Sequence, residues 1–145
     1  MHSPSPLRIF LIEDNSDHAK ILKWAFEQTD HPTHLTFYQD ADSALSHLGG
    51  NGKEPSVFPD LIFLDFNLPG IGGREALARL KANKHSKDIP VIVLSSSERE
   101  EDVRHAYEFG ASTYISKAVI LDELRSSLQC VLDYWSRMAR LPRRD

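Results

Sequence analysis

Leu61-Ile62-Phe63-Leu64-Asp65 constrains the chain most. Four apolar residues run without a polar break and end on a carboxylate, and Asn67, Pro69, Gly70, Gly72 and Gly73 follow at once. A short continuous apolar run bounded by turn formers reads as a strand buried on both faces. Such a strand delivers Asp65 to its carboxyl end, where open α/β sheets keep their ligand sites. A second run of this kind, Leu7 to Ile12, ends on Glu13-Asp14.

The rest of the pattern supplies the helices that such strands need. Ser16 is expected to cap a helix whose apolar face is Ile21, Leu22, Ala25 and Phe26, ending before His31-Pro32. Leu35 to Tyr38 reads as a second strand. Asp40 starts a short helix that Gly49 and Gly50 stop. Asn51 to Pro59 reads as loop. After Asp65, a helix begins near Gly73, and Val91 to Leu94 forms a fourth strand ending on Ser95-Ser96-Ser97. Ser97 and Glu100 have capping-box spacing. A helix through Val103, Ala106 and Tyr107 ends at Phe109-Gly110, and Thr113 to Ile115 is a short fifth strand before Ser116-Lys117. One last helix is expected from Val119 to Ala139. Alternation of five strands with helices implies a doubly wound, five-stranded parallel sheet. The expected division is a disordered lead-in at 1–6, one domain at 7–139 and a tail at 140–145.

Bulk properties narrow the function classes. A chain of 145 residues fits one domain, and a net charge of -4 gives no support for nucleic-acid binding. The single cysteine, Cys130, permits no internal disulfide. No apolar run is long enough for a membrane span. The cytoplasm is the expected address.

In the flavodoxin-like strand order 2-1-3-4-5, the first and third strands are neighbours. Glu13, Asp14 and Asp65 then crowd one crevice. At about 4 Å and an effective dielectric of 20, each like-charge pair repels by about 4 kcal/mol. Either a pKa rises or a cation binds. Hard oxygen ligands suit Mg²⁺, which keeps waters and takes one or two carboxylates plus a phosphate. Ser95 and Lys117 reach the same rim from the fourth and fifth strands. Three carboxylates, a hydroxyl and an ammonium can hold a phosphoryl group on a carboxylate nucleophile.

With these residues in hand, the sequence resembles the receiver domains of two-component response regulators from about Leu7 to Leu128. Ser95 and Lys117 follow Asp65 at the separations found in chemotaxis-type receivers. The resemblance implies that Asp65 accepts a phosphoryl group from a histidine kinase. It implies Mg²⁺ held by Asp14, Asp65 and the Asn67 carbonyl, with Glu13 acting through water. Lys117, Ser95 and Ser96 would meet the phosphate, and Tyr114 would follow as the aromatic switch residue. Ile12-Glu13-Asp14-Asn15, Leu64 to Pro69, Gly73-Arg74-Glu75, Ile89-Pro90-Val91 and the Trp135 to Pro142 tail are similar to single-domain regulators paired with bacterial and cyanobacterial phytochromes. Ser95 departs from the commoner threonine, and Ala118 from the proline that usually follows the lysine.

Three further readings compete. A phosphatase with an Asp nucleophile would place a second acid two residues on, where Asn67 stands. A constitutive scaffold would not need the acid cluster, and a phosphate shuttle would pass the group onward. Leu121, Leu124, Leu128, Val131, Trp135 and Met138 have heptad spacing. The expectation is a homodimer through the fourth helix, fifth strand and last helix, with Leu121, Leu124, Val131, Trp135 and Met138 in the interface. The alternative is that the tail folds back on its own domain. No stretch after Met138 has the length of an output domain, so a partner or a dimer surface is expected to read the signal.

Overall fold

The computed structural model describes residues 5–50, 55 and 57–142. The elements are β1 (Leu7–Ile12), α1 (Ser16–Glu27), β2 (Thr33–Tyr38), α2 (Ala41–Leu45), β3 (Leu61–Asp65), α3 (Gly72–Ala82), β4 (Val91–Ser95), α4 (Glu100–Glu108), β5 (Thr113–Ser116), α5 (Lys117–Asp122) and α6 (Leu124–Asp133). All strand pairs are parallel, in the order β2-β1-β3-β4-β5. This is the doubly wound, five-stranded sheet that the apolar runs predict.

Side chains alternate between the faces of each strand, and both faces are covered. Phe10, Ile12, Ile62, Leu64, Val91 and Val93 pack on Ala44, Leu48, Leu77, Leu80 and Ala106. Ile9, Leu11, Phe63, Ile92 and Leu94 pack on Leu22, Phe26, Ile120, Leu128 and Leu132. Register then lines up the functional ends. Ile12 stands beside Leu64, Asp65 beside Leu94, and Ser95 beside Ser116. The residues following these pairs therefore share one rim. Gly73 lets α3 approach that rim closely: a Cβ there would lie 2.4 Å from the Phe66 Cα and 2.8 Å from the Asp65 carbonyl oxygen.

Local details correct several sequence expectations. Asn15, not Ser16, caps α1, and its side-chain oxygen accepts from Asp17 and His18 N–H, each at 3.0 Å. Asn15 has the extended backbone a cap needs, whereas Ser16 is already helical. Asp40 does cap α2, accepting from Ser43 N–H at 2.8 Å. β2 begins at Thr33, two residues before Leu35, because Leu7 pairs with Thr33. The Ser97–Glu100 capping box does not form. α4 starts at Glu100 with Arg99 flanking it, and the Ser97 hydroxyl donates to Asp102 instead. The loop expectation for Asn51 to Pro59 lies largely outside the described residues, as do residues 1–4 of the lead-in and 143–145 of the tail.

The last helix is not continuous. Glu123 leaves helical geometry (φ -128, ψ 60) between α5 and α6, and the chain widens over Tyr134–Met138 before Ala139 turns extended. The heptad-spaced residues other than Met138 face their own sheet. Leu128 is fully buried, while Leu121, Leu124, Val131 and Trp135 pack with Leu141 against the same core. Trp135 and Leu141 thus follow the alternative expectation, a tail folded back on its own domain, whereas Met138 stays 78% exposed. Trp135→Ala is expected to cost about 2–3 kcal/mol, less than a fully buried aromatic. Urea unfolding measures it, and a loss under half a kcal/mol (roughly the surface value) would detach the tail from the core.

Candidate functional site

Five side chains meet at the carboxyl ends of β1, β3, β4 and β5. Asp65 is 1% exposed, Glu13 2%, Ser95 1% and Lys117 8%. Asp14 is exposed. Carboxylate oxygens of Glu13, Asp14 and Asp65 lie within 4.8 Å of one another. The structure thus brings together the acid cluster that the strand ends predict.

Lys117 bridges the two buried acids. Its Nζ stands 2.7 Å from Glu13 Oε1 and 3.0 Å from Asp65 Oδ2. Described peptide bonds are all trans, so Ala118 in the usual proline position leaves Lys117 in reach of both carboxylates. Burial lowers the Lys117 pKa, but its contacts to Glu13 and Asp65 outweigh this and hold it above the usual lysine value. Glu13 answers the repulsion differently. Burial, first, and the Asp65 carboxylate beside it push its pKa up to about 7, against the pull of Lys117. Glu13 Oε2 accepts from Asn15 N–H at 3.2 Å, while Oε1 meets the ammonium without hydrogen-bond geometry. Three oxygen donors, one of them buried without a hydrogen bond, fit a hard divalent cation.

The predicted phosphate-facing groups are present but turned to other partners. Ser95 Oγ accepts from Ser97 N–H at 3.1 Å. Ser96 is exposed, and its Oγ accepts from Asn67 Nδ2 at 2.6 Å across the mouth of the crevice. Asn67 N–H also donates to Asp65 Oδ1 at 2.9 Å. Tyr114 is half-buried, packs edge-on against Phe66 and donates its hydroxyl to the Ser97 carbonyl at 2.8 Å.

Four residues that the sequence reading did not place in the site lie against it or lead out from it. His18 Nδ1 lies 3.2 Å from Lys117 Nζ. Its signal was available, since the first turn of the helix after β1 crowns the strand ends. Ser97, Asp102 and Arg74 form a chain outward from Ser95. Ser97 Oγ donates to Asp102 at 2.5 Å, and Arg74 of α3 pairs with the other oxygen of Asp102. The Ser97 hydroxyl, ahead of Arg74, holds the Asp102 carboxyl below its usual range. No spacing rule announces a contact between separate helices.

One family model, the response regulator receiver domain, matches residues 9–129, which span this sheet, the acid crevice and the strand-end lysine. The chain belongs to the response regulator receiver family. Receivers are phospho-accepting modules of two-component systems and work with histidine kinases. The response regulator Rcp1 of Synechocystis is 34% identical over 141 residues, covering 97% of this chain and 96% of Rcp1. A methanogenesis regulatory protein, FilR2 of Methanothrix harundinacea, is 30% identical and covers 98% of this chain and 92% of its own. Among solved structures, the phosphorylated cyanobacterial phytochrome response regulator RcpA superposes with a TM-score of 0.84 at 34% identity, covering 96% of this chain and all of that one. The Mn²⁺-bound form of Rcp1 gives 0.81 at 33% identity, over 95% of this chain and all of that one. No helix among the described residues is long and apolar enough to cross a membrane.

Proposed function

We propose that this receiver is a single-domain response regulator that takes a phosphoryl group on Asp65 from a phytochrome-type histidine kinase. The observation that carries the reading is the buried Asp65 carboxylate, with Lys117 3.0 Å away and two further acids within 4.8 Å. Similarity over nearly the full length of RcpA and Rcp1 supports the phytochrome partner.

An Asp65 oxygen attacks phosphorus in line. The bond from phosphorus to the kinase imidazole breaks, a carboxyl–phosphate bond forms, and the leaving nitrogen takes up a proton. Glu13, Asp14, Asp65 and the Asn67 carbonyl would hold Mg²⁺, which when bound neutralises charge between carboxylate and phosphoryl oxygens. Lys117 then exchanges Asp65 Oδ2 for a phosphoryl oxygen, a step its flexible stem permits. Ser95 reaches the phosphoryl group only by giving up Ser97 N–H, and Tyr114 follows by giving up the Ser97 carbonyl. The phosphatase reading is disfavoured, because Asn67 carries an amide that does not titrate where a second acid would work.

Output runs through a surface. Exposed Tyr107 (50%) and Phe109 (44%) on and after α4, with Val119 (56%) on α5, offer an apolar patch for a homodimer beside β5. Met138 extends the apolar surface further along the chain. The residues Leu121, Leu124, Val131 and Trp135 are engaged with their own core, so they would join the interface only at their open edges. Sedimentation at rising concentration measures the dimer; a monomer at every concentration, phosphorylated or not, excludes it.

Mixing the protein with an autophosphorylated phytochrome-type kinase tests the transfer. Label is expected to leave the kinase within minutes and appear on this chain. Label retained by the kinase, while acetyl phosphate still modifies Asp65, would remove the phytochrome partner and keep the receiver chemistry.

A further inference from the structure

Ser97 is the point where both moving groups end. Its N–H is held by Ser95 Oγ at 3.1 Å, and its carbonyl by the Tyr114 hydroxyl at 2.8 Å. Its own hydroxyl accepts from Arg99 N–H at 3.2 Å and donates to Asp102 at 2.5 Å. All three polar groups of one residue are thus committed. Ser95 cannot turn toward Asp65, nor Tyr114 leave its position, without releasing a bond to Ser97.

Ser97 is in turn fixed to a different helix. Asp102, in the first turn of α4, takes the Ser97 hydroxyl on Oδ2 and the guanidinium of Arg74 on Oδ1. Arg74 lies at the start of α3, directly after Gly73, whose backbone packs on Asp65 and Phe66. The Asp102 side chain is 14% exposed and that of Arg74 50%, so solvent screens the pair only in part. Beside it, Asn67 Nδ2 ties the β3–α3 loop to Ser96 in the β4–α4 loop.

We infer that Arg74 and Asp102 form a latch that holds Ser97, and through it Ser95 and Tyr114, in the resting arrangement of the switch. The inference rests on the phospho-acceptor reading of Asp65. Arg74 touches no reacting atom and acts as a positioning residue. Opening the latch costs less than disrupting the core, because its outer member is solvent-facing. A partner that competes for Arg74 or Asp102 at the α3–α4 boundary therefore gains leverage over phosphorylation, and phosphorylation loosens that boundary in return.

The test is the affinity of full-length protein for beryllium fluoride, a tetrahedral mimic of the aspartyl phosphoryl group, in the presence of Mg²⁺. Removing a contact made only in the resting state shifts the population toward the bound-like state. Arg74→Gln and Asp102→Asn are each expected to tighten binding about fivefold, the scale of one partly exposed ion pair. The double variant is expected to match either single one, since both open the same latch. Acetyl phosphate is expected to load both single variants faster than wild type, a readout that loss of packing alone does not raise. Unchanged or weaker binding in folded single variants, with wild type binding normally, overturns the latch alone. No binding by wild type overturns the phospho-acceptor reading and the latch with it. Ser97→Ala offers the same test where Asp102→Asn does not fold, again with tighter binding expected.

Discussion

An Asp65→Asn variant incubated with acetyl phosphate and Mg²⁺ will gain no phosphoryl group by intact mass, where the wild-type chain gains one. An amide oxygen is a far weaker nucleophile than a carboxylate, so the loss is complete rather than graded. The neighbouring acids do not substitute for it. Glu13 is buried beneath Lys117, and Asp14 stands in the exposed lip of the crevice. The variant is expected to fold. Asn matches Asp in shape, Asn67 N–H keeps an oxygen to donate to, and Lys117 keeps Glu13 at 2.7 Å. Glu13 is raised chiefly by burial, which the variant leaves in place, and losing the Asp65 charge relieves only a smaller repulsion, so stability changes by no more than about 1 kcal/mol. An adduct that survives on the variant would move the acceptor to another group, with Asp14 the first to examine by peptide mapping.

The site was legible because a parallel sheet sorts its residues by strand end. Every apolar run stops at the same rim, so Glu13, Asp65, Ser95 and Lys117 could be placed together before any contact was known. Register does the rest, with Ile12 beside Leu64 and Ser95 beside Ser116. Caps and loop contacts were less legible. Asn15 and Ser16 are both good caps by type, and only the backbone angle at Asn15 decides between them. Ser97 carries a capping signature, yet its hydroxyl goes to Asp102 because that carboxylate is already drawn up by Arg74 from another helix. The break at Glu123 has no Gly or Pro to announce it, and heptad spacing runs straight through it. The same spacing describes a seam for another chain and a face for one's own sheet. Leu128 at 0% exposure and Trp135 packed with Leu141 show the second use.

Lys117→Met is expected to destabilise the metal-free protein strongly at pH 8 and much less at pH 5.5. Lys117 is the cation that compensates two buried carboxylates, and removing one partner of a buried ion pair costs about 3–5 kcal/mol. The pH dependence follows from Glu13. Its pKa rises from 4.5 to about 7 on folding, by burial first and the neighbouring Asp65 carboxylate second. A carboxyl raised on folding adds stability that is fully present below pH 4.5 and is lost as pH rises through about 7. At pH 5.5 Glu13 therefore carries a proton and is neutral beside Asp65. Only one buried charge then lacks its cation, and the loss is expected to be roughly half that at pH 8. With Lys117 present, both acids are charged above about pH 7. Without the ammonium that pulls its pKa down, Glu13 ionises later still, so the variant's stability keeps falling beyond the pH where wild type levels off. Mg²⁺ at pH 8 is expected to recover part of the loss, because a ligand that binds only the folded state stabilises it by mass action. Urea unfolding at the two pH values, with and without Mg²⁺, measures all of this. An equal loss at both pH values, indifferent to Mg²⁺, would make Lys117 a packing residue whose charge does not govern the acid cluster.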